Sequence, residues 1–349
     1  MLIKIKQVGN YMRKINFTIF CIILFGLSLV NNTFGQEYKK LAQTGLKFLS
    51  VSLDPRAAAL GDAVTSVSSH STSMLYNPAV MGEMNGIADF SFGSTQWIAD
   101  INYIYGTGAF NLFDGNYGVL GFSLVAVDYG DFIGTIVAPN NDGYLEVGTF
   151  KPTAFSFGVG YANQLSEKFS VGGNVKYVRQ SLGTAVTGYD NSGNRKVEEN
   201  SVSAVAFDFG ILYHTGFKSL NFGMSVRNFS TELKYKDEKF QLPLTFKLGI
   251  SIDALDLFDV DKDMHSLLVS VDASHPRDYS EQISFGAEYL FMNTFSIRGG
   301  YTAPTDEQEF TAGVGLKQTI YDIKFGVDYS YTPFGVFDNV HRFSINLAY

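Results

Sequence analysis

The chain of 349 residues is rich in aromatic residues and glycine, with 31 Phe, 20 Tyr and 35 Gly but only 8 Pro. Its mean hydropathy of +0.04 excludes a bundle of transmembrane helices, each of which needs about 20 apolar residues, and its net charge of −8 argues against nucleic acid as a partner. Aromatic residues favour strands and glycine permits tight turns, so the composition favours an all-β protein.

The first 35 residues have the organisation of a signal peptide for the Sec export pathway. Four basic residues precede an apolar run from Phe17 to Val30, and the small residues Thr33 and Gly35 stand where a signal peptidase would cut. This run is shorter than the roughly 20 residues of a membrane-spanning helix. We therefore predict a mature chain that begins at Gln36, lacks cysteine, and carries 22 Lys and Arg against 34 Asp and Glu, a net charge of −12.

Residues 36–85 lack the alternation of a membrane-facing strand, and we predict that they form an N-terminal plug inside a barrel made by the remaining chain. Small residues permit close packing there, and the guanidinium of Arg56 could bind lumen carboxylates with two hydrogen bonds. Asn77 and Pro78 together indicate a helix entry, with Asn as the cap and Pro at the first helical position. The candidate residues of this segment are Asp54, Arg56, Gly61, Asp62, Asn77 and Pro78.

Residues 86–349 alternate apolar and polar side chains, which predicts a transmembrane antiparallel β-barrel of about 14 strands. The expected strands lie near 86–95, 99–112, 115–129, 151–163, 167–181, 201–215, 218–231, 242–254, 264–274, 280–292, 294–304, 308–319, 321–333 and 336–349. The short connections at 114–116, 165–167 and 292–294 are expected to be periplasmic turns. The longer polar stretches at 130–150, 183–200, 232–241 and 255–263 are expected to be extracellular loops.

If the apolar residues of each strand face lipid, charges of both signs face the lumen. They should form pairs, because an unpaired ion in a confined lumen costs several kcal/mol. Their role is either structural packing of the barrel interior or the lining of a polar conduit or ligand site. The candidate lumen charges are Lys176, Asp208, Arg227, Glu288, Asp328 and Arg342, together with Lys247, Asp272, Arg298 and Lys324.

The last residues of the chain read as the closing strand of an outer-membrane barrel. Phe343 and Tyr349 fall on the face predicted to contact lipid, whereas Arg342 and Ser344 fall on the lumen face. An aromatic terminus of this kind resembles the signal read by the outer-membrane insertion machinery. The lone Trp97 is expected in an interfacial aromatic girdle.

The sequence gives no indication of an enzyme, a cofactor or a metal site. It contains no G-x-S-x-G, H-E-x-x-H or GxxxxGK motif, and its five His residues are scattered. The acidic run from Asp253 to Asp263 could attract a hard cation, but it lacks the Gly and terminal Glu of an EF-hand loop and is expected to be a solvated loop.

Two segments of the amino-terminal region carry a resemblance to a known family. The run from Leu53 to Ala63, LDPRAAALGDA, followed by YNPA from Tyr76 to Ala79, resembles the signature of PorV/PorQ outer-membrane proteins, which are FadL-like barrels. The resemblance continues through most of the mature chain. The Asn77-Pro78-Ala79 element is also similar to the NPA segment of FadL fatty-acid channels.

The resemblance implies a location in the outer membrane of Bacteroidota, among outer-membrane lipid, and a part in type IX secretion. PorV-like barrels accept the C-terminal domain of a secreted cargo and deliver it to a surface attachment complex, to which PorQ belongs. FadL-like channels instead admit hydrophobic small molecules. The first role is the expected function of this chain, with type IX components and cargo C-terminal domains as partners, and the second is the alternative.

Overall fold

The computed structural model describes residues 44–69, 71–112, 117–235, 238–262 and 264–349. The predicted signal peptide (1–35) and the first residues of the predicted plug (36–43) lie outside these ranges. The helices described are short, and none is long and apolar enough to cross a membrane. They are α1 (Pro55–Ala59) and 3-10 helices at Lys47–Ser50, Ser71–Leu75, Pro78–Glu83, Ile98–Asp100 and Ala254–Leu257.

Most of the described chain is β-strand. The strands, numbered in chain order, are β1 (Ala88–Gln96), β2 (Asn102–Asn111), β3 (Val119–Asp128), β4 (Phe132–Val137), β5 (Tyr144–Phe150), β6 (Thr153–Ser166), β7 (Phe169–Tyr189), β8 (Arg195–His214), β9 (Asn221–Phe229), β10 (Leu233–Lys234), β11 (Lys239–Phe240), β12 (Thr245–Asp253), β13 (His265–Pro276), β14 (Gln282–Phe291), β15 (Phe295–Ala303), β16 (Phe310–Ile320), β17 (Ile323–Thr332) and β18 (Val340–Ala348).

Fourteen of these strands close into one antiparallel barrel, as the sequence predicts. The ring excludes β4, β5, β10 and β11, which form two small hairpins. It closes where β18 pairs with β1, in a register from Asp89 opposite Ala348 to Gln96 opposite His341. Closure satisfies the backbone of every ring strand on both sides, which a bilayer requires.

The two ends of the barrel differ in their connections. We call the end that holds Tyr349 and the connections from β2 to β3, from β6 to β7 and from β14 to β15 the turn end. The opposite end, with the connections from β3 to β6, β7 to β8, β9 to β12, β13 to β14, β15 to β16 and β17 to β18, is the loop end.

Alternation along each strand separates a lipid-type face from an inner face. On β17, Phe325 and Val327 are exposed on the outside, while Gly326, Asp328 and Ser330 are buried on the inside. Successive side chains of a strand point to opposite faces, so the period of two in the sequence corresponds directly to outside and inside.

The stretches 130–150 and 183–200 lie beyond the ring at the loop end, but they contain strands that the sequence did not indicate. The first includes β4 and β5, and the second includes the outer parts of β7 and β8, where Val186 pairs with Val197. A hairpin outside the barrel needs no continuous apolar face. Its strands therefore lack the alternation of apolar and polar residues from which the ring strands are predicted. The prediction that 255–263 is an extracellular loop on the same side as the others is wrong, because its described residues follow β12 and precede β13 at the turn end.

Candidate functional site in the barrel interior

The described residues of the N-terminal segment, 44–69 and 71–87, lie inside the ring of strands. Its helix α1 packs against β15 to β18, its Ser71–Leu75 turn against β1 to β3, and its Pro78–Glu83 turn against β6 to β8. Contacts on every side of the ring require the segment to run through the interior. Phe48, Leu60 and Met81 are among its fully or almost fully buried side chains.

Two capped turns fix the path of this segment. Asp54 caps α1 by accepting a hydrogen bond from the Ala57 amide at 3.1 Å, and Pro55 takes the first helical position. Asn77 caps the Pro78–Glu83 turn in the same way, with its Oδ1 accepting from the Ala79 amide at 3.1 Å.

The side chain of Asn77 also joins the segment to the wall. Its Nδ2 donates to the carbonyl of Thr65 at 2.7 Å and to the carbonyl of Ile211 on β8 at 3.0 Å. The hydroxyl of Tyr76, next in the chain, accepts from the Asp54 amide at 3.0 Å. One buried turn therefore holds both α1 and the wall in position.

Wall glycines make room for this close approach. A Cβ added to Gly210 on β8 would lie 1.8 Å from Oδ1 of Asn77, and one added to Gly172 on β7 would lie 2.5 Å from the carbonyl carbon of Pro78. By contrast, the nearest atom to a Cβ at Gly173 would be 3.6 Å away, because that position meets only the next strand.

We expect Gly210→Ala to displace the Asn77 turn and to destabilise the segment by about 1–3 kcal/mol, as overpacking does elsewhere. Gly173→Ala is the matched control on the neighbouring strand and should have little effect. Hydrogen exchange of residues 71–85 measures the difference. Equal protection in the two variants would contradict the assignment of Gly210 to the segment contact.

A chain of buried ion pairs links α1 to three strands. Nη2 of Arg56 lies 2.7 Å and its Nε 2.9 Å from the two carboxylate oxygens of Glu288 on β14. Arg298 on β15 bonds the same carboxylate through Nε and reaches Asp328 on β17 through Nη1 at 2.6 Å. Asn346 on β18 donates to Asp328 at 2.7 Å. Each buried carboxylate here has a cation, which offsets the cost of removing it from water.

A second connection to the wall runs through Asp62. Lys247 on β12 donates to Oδ2 of Asp62 at 2.6 Å, and the hydroxyl of Ser52 donates to Oδ1 at 2.9 Å. Thr65 adds a contact with β13, its hydroxyl donating to Asp272 at 2.6 Å. The predicted lumen carboxylates on β13 and β14 thus both contact the N-terminal segment.

Asp208, another predicted lumen charge, bonds within the wall instead. Its carboxylate lies 2.8 Å from Nζ of Lys176 and accepts from Asn174 at 3.0 Å and from the Asn228 amide at 2.8 Å. Burial of this pair between β7, β8 and β9 supports a structural role in the wall.

Arg227 and Arg342 differ from the other interior cations. Arg342 donates from Nε to the carbonyl of Ser52 at 2.8 Å, and Nη2 of Arg227 donates to the carbonyl of Leu49 at 3.4 Å. The guanidinium group of Arg342 also lies 5.5 Å from the ring centre of Trp97. That of Arg227 lies 5.5 Å from the ring centre of Tyr76. Within the described ranges, neither forms an ion pair with a carboxylate, and Nε of Arg227 is buried without a hydrogen-bond partner.

A cavity of about 730 Å³ lies at the loop end above the N-terminal segment. Its lining includes Arg227, Lys247 and Arg342, and also Trp97 and Phe334, whose rings meet edge to face at 5.1 Å. The prediction of Trp97 in an interfacial girdle is wrong, because the β1–β2 turn directs its ring to this cavity.

The loop 277–281 ties the start of the N-terminal segment to the cavity rim. Asp278 accepts hydrogen bonds from Thr44 and Lys47. Burial alone would raise the pKa of this carboxyl, but these two donors and the Lys47 charge hold it below the usual value. The sequence offered no signal for this contact, since Asp278 stands in an ordinary polar loop.

The remaining predicted site residues are placed as follows. Phe343 points outward from β18, and Tyr349 pairs with Ala88 through its backbone at the turn end. Gly61 has a left-handed backbone and packs against β14 and β15, and its amide donates to the hydroxyl of Thr311 on β16 at 3.2 Å. In the described part of the chain, no group of three or more His, Cys, Asp or Glu is positioned to hold a metal ion.

The closed ring of fourteen strands, with an apolar outer face and a charged interior, is the architecture of outer-membrane-type β-barrels. The family model of the type IX secretion system membrane protein PorP/SprF matches residues 70–349, and the chain belongs to this family. The match confirms the predicted association with type IX secretion and the fold points to the outer membrane. It does not confirm the finer resemblance to PorV and PorQ.

Solved channel proteins share the fold. The CymD monoaromatic hydrocarbon channel has a TM-score of 0.52 and 12% identity, over 87% of this chain and 97% of that one. The Pseudomonas putida toluene transporter TodX has a TM-score of 0.53 and 12% identity, over 84% and 96%. A Pseudomonas aeruginosa FadL homologue has a TM-score of 0.54 and 11% identity, over 86% and 98%. Such low identities establish the fold alone. No curated protein matches the chain by sequence.

Proposed function

We propose that this PorP/SprF-family barrel is a non-enzymatic outer-membrane protein that delivers or anchors type IX secretion cargo at the cell surface, as the resemblance to PorV and PorQ implies. The observation that carries the proposal is the N-terminal segment inside the ring, held by ion pairs such as Arg56–Glu288 and Lys247–Asp62. An interior occupied in this way leaves the hairpins of the loop end as the surface for a protein partner.

In this proposal residues 36–85 act as a plug and the loop end faces the cell exterior. Sec export by the signal peptide 1–35 precedes insertion, in which the outer-membrane machinery reads Phe343 and Tyr349. Lipid surrounds the outward aromatic and aliphatic residues of the ring. The partners are type IX components and the C-terminal domains of secreted cargo.

Exposed apolar residues on the hairpin of β4 and β5 support a partner at the loop end. Val137 is 95% exposed and Ile133 is 63% exposed. Both belong to β4, which lies outside the ring. Apolar side chains grouped on a protruding hairpin favour association with another protein, which would remove them from water.

We expect the double variant Ile133→Ser/Val137→Ser to reduce surface display of cargo several-fold while barrel abundance in the outer membrane stays unchanged. Tyr321→Ser is the matched control, because Tyr321 is also 95% exposed but lies in the β16–β17 turn at the opposite end. Display is measured by labelling cargo on intact cells. Unchanged display in the double variant, at normal abundance, would count against docking on this hairpin.

The long hairpin of β7 and β8 provides a second test of the same surface. Replacing residues 185–198 by the two-residue turn Asn-Gly shortens it in register, because Thr184 pairs with Glu199. The ring begins below this point, where Ser181 pairs with both Thr153 and Ser201. We expect normal abundance of the barrel and reduced surface display of cargo. Normal display would show that this hairpin is not part of the docking surface.

A FadL-like channel for hydrophobic small molecules is the second candidate, favoured by the 730 Å³ cavity at the loop end. In that case Arg56→Ala should alter uptake more than either hairpin variant, because it leaves Glu288 with one cation and loosens α1. A knockout with unaltered secretion but impaired growth on a hydrophobic carbon source would favour the channel.

A further inference from the structure

We propose that the connection between β12 and β13, at the turn end of the barrel, is a docking surface for a periplasmic protein with a basic and apolar face. Its described residues are 254–262, and we call them the acidic loop. The inference goes beyond the delivery of cargo at the loop end. It takes from the proposed function only the orientation of the barrel, in which the turn end faces the periplasm.

The acidic loop belongs to the longest connection of the turn end. Eleven residues separate the end of β12 at Asp253 from the start of β13 at His265, whereas the β6–β7 and β16–β17 connections have two residues each. Hairpin connections of about two to five residues are usual. The additional length is therefore not needed to join the two strands.

A capped 3-10 helix gives the first half of the acidic loop a fixed shape. Asp253 caps the helix Ala254–Leu257, because its Oδ1 accepts from the Leu255 amide at 2.9 Å. The same oxygen accepts from the Leu267 amide on β13 at 3.1 Å. One carboxylate thus holds the helix against the wall strand.

The second half of the acidic loop is tied back to the first. Nζ of Lys262 donates to Asp256, and the His265 amide donates to the carbonyl of Asp261 at 3.1 Å. The hydrogen bond from Lys262 holds the pKa of the Asp256 carboxyl below its usual value, so this ion pair persists at neutral pH. The loop therefore presents its remaining side chains from an ordered backbone.

Apolar side chains are exposed on this ordered loop. Leu257 is 53% exposed and Phe258 is 65% exposed, and Val260 is exposed as well. Phe217 is another exposed aromatic on the adjacent β8–β9 connection, where the hydroxyl of Ser219 accepts from the last amide of β12 at 2.9 Å. Apolar side chains held in this way favour association with a partner that removes them from water.

The charges of the acidic loop argue against lipid as the cover of these side chains. Residues 253–262 contain four aspartates and one lysine, and Asp259 stands between Phe258 and Val260. These apolar side chains cannot enter a bilayer without drawing a carboxylate towards it, which is costly. Anionic lipid headgroups attract basic segments and repel acidic ones.

The same charges specify the kind of protein that fits. A partner with a Lys or Arg side chain beside an apolar pocket would pair with Asp259 while it covers Phe258. Charge complementarity of this kind selects a basic partner and rejects acidic ones. A second copy of the barrel does not fit, because it would bring the same excess of aspartates to the contact.

The test places the photocrosslinking residue p-benzoylphenylalanine at position 258 of the full-length barrel in growing cells. We expect a crosslink to one protein other than the barrel. Adding Asp259→Lys should reduce this crosslink at least about fivefold at equal barrel abundance, because like charges then face each other. Position 321 is the control, since Tyr321 is 95% exposed at the same end but lies outside the acidic loop, and it should give no such crosslink.

Two further variants make the charge effect specific. Asp338→Lys makes the same change in the exposed β17–β18 connection and should leave the crosslink from position 258 unaltered. Asp259→Asn removes the charge without reversing it and should give an intermediate crosslink, which also serves if Asp259→Lys lowers barrel abundance. A protein crosslink of undiminished strength in both Asp259 variants would overturn the proposal. So would a crosslink to lipid alone or to a second barrel, or no crosslink at all.

The side of the membrane is tested separately. The mature chain is predicted to lack cysteine, so a membrane-impermeant maleimide on intact cells should label Val137→Cys and spare Phe258→Cys. The opposite pattern would overturn both the periplasmic assignment and the orientation in the proposed function. Loss of cargo display in the hairpin variants, without a crosslink at position 258, would reject the acidic loop alone. A charge-dependent crosslink with unaltered cargo display would retain the acidic loop and reject the hairpin docking surface.

Discussion

Arg298→Met is expected to lower the free energy of unfolding by about 3–5 kcal/mol, because it removes the cation between two buried carboxylates. Arg298 has no exposed side-chain surface and bonds Glu288 and Asp328 together. Glu288 retains Arg56, but Asp328 retains only the amide of Asn346. Equilibrium unfolding of the refolded barrel in urea measures the loss.

Two further variants separate this effect from a general loss of packing. Adding Asp328→Asn to Arg298→Met removes the unpaired charge and should recover part of the lost stability. Arg179→Met is the exposed control, with its guanidinium 3.8 Å from Glu199, and should cost no more than about 1 kcal/mol. Stability of Arg298→Met close to that of the wild type would show that the ion-pair chain does not hold the interior together.

Deletion of Phe343 to Tyr349 is expected to abolish accumulation in the outer membrane and to leave degraded or periplasmic chain. The deletion removes most of β18, which pairs with β1 on one side and β17 on the other. It would leave both neighbours with unpaired backbone groups that a bilayer cannot satisfy. Membrane fractionation measures the result.

A point variant distinguishes the insertion signal from the loss of the seam. Tyr349→Ala retains the backbone bonds between residue 349 and Ala88, at 2.8 and 3.0 Å, and changes only an exposed ring. We expect it to lower outer-membrane levels several-fold, whereas Tyr321→Ala, an exposed aromatic at the same end, should not. Normal levels of Tyr349→Ala would restrict the role of β18 to closing the barrel.

The strands could be predicted from sequence because each side chain of a barrel strand meets either lipid or the interior. The alternation of Phe325, Gly326 and Val327 therefore reports directly on the wall. Outside the membrane this constraint disappears. The outer parts of β7 and β8, with Val186 opposite Val197, were accordingly predicted as a loop.

The sequence predicts that charged residues in the interior pair, but it does not predict which residues pair. Opposite charges in a confined lumen must pair, and the contact of Arg56 with a lumen carboxylate follows from its position in a non-alternating segment. Which carboxylate it contacts depends on the register of β14 and on the path of the N-terminal segment, neither of which is local in sequence. Asp208 was an equally good candidate, and it pairs with Lys176 in the wall.

The cavity could not be predicted for a similar reason. Trp97 stands at a turn, where an interfacial position is the ordinary expectation. Arg342 of β18 lies against its indole only because the barrel closes between β18 and β1. Arg227 and Lys247 are distant from both in sequence. Their convergence depends on the barrel and the N-terminal segment together.

The proposed role in secretion is tested most directly by recovering the tagged barrel from native outer membranes, alongside the Ile133→Ser/Val137→Ser variant, and identifying what accompanies each by mass spectrometry. We predict that the wild type brings down secreted proteins that share a C-terminal domain and that the variant loses them at equal barrel yield. Recovery of the wild-type barrel alone, with bound lipid or hydrophobic small molecules and no such proteins, would contradict the account.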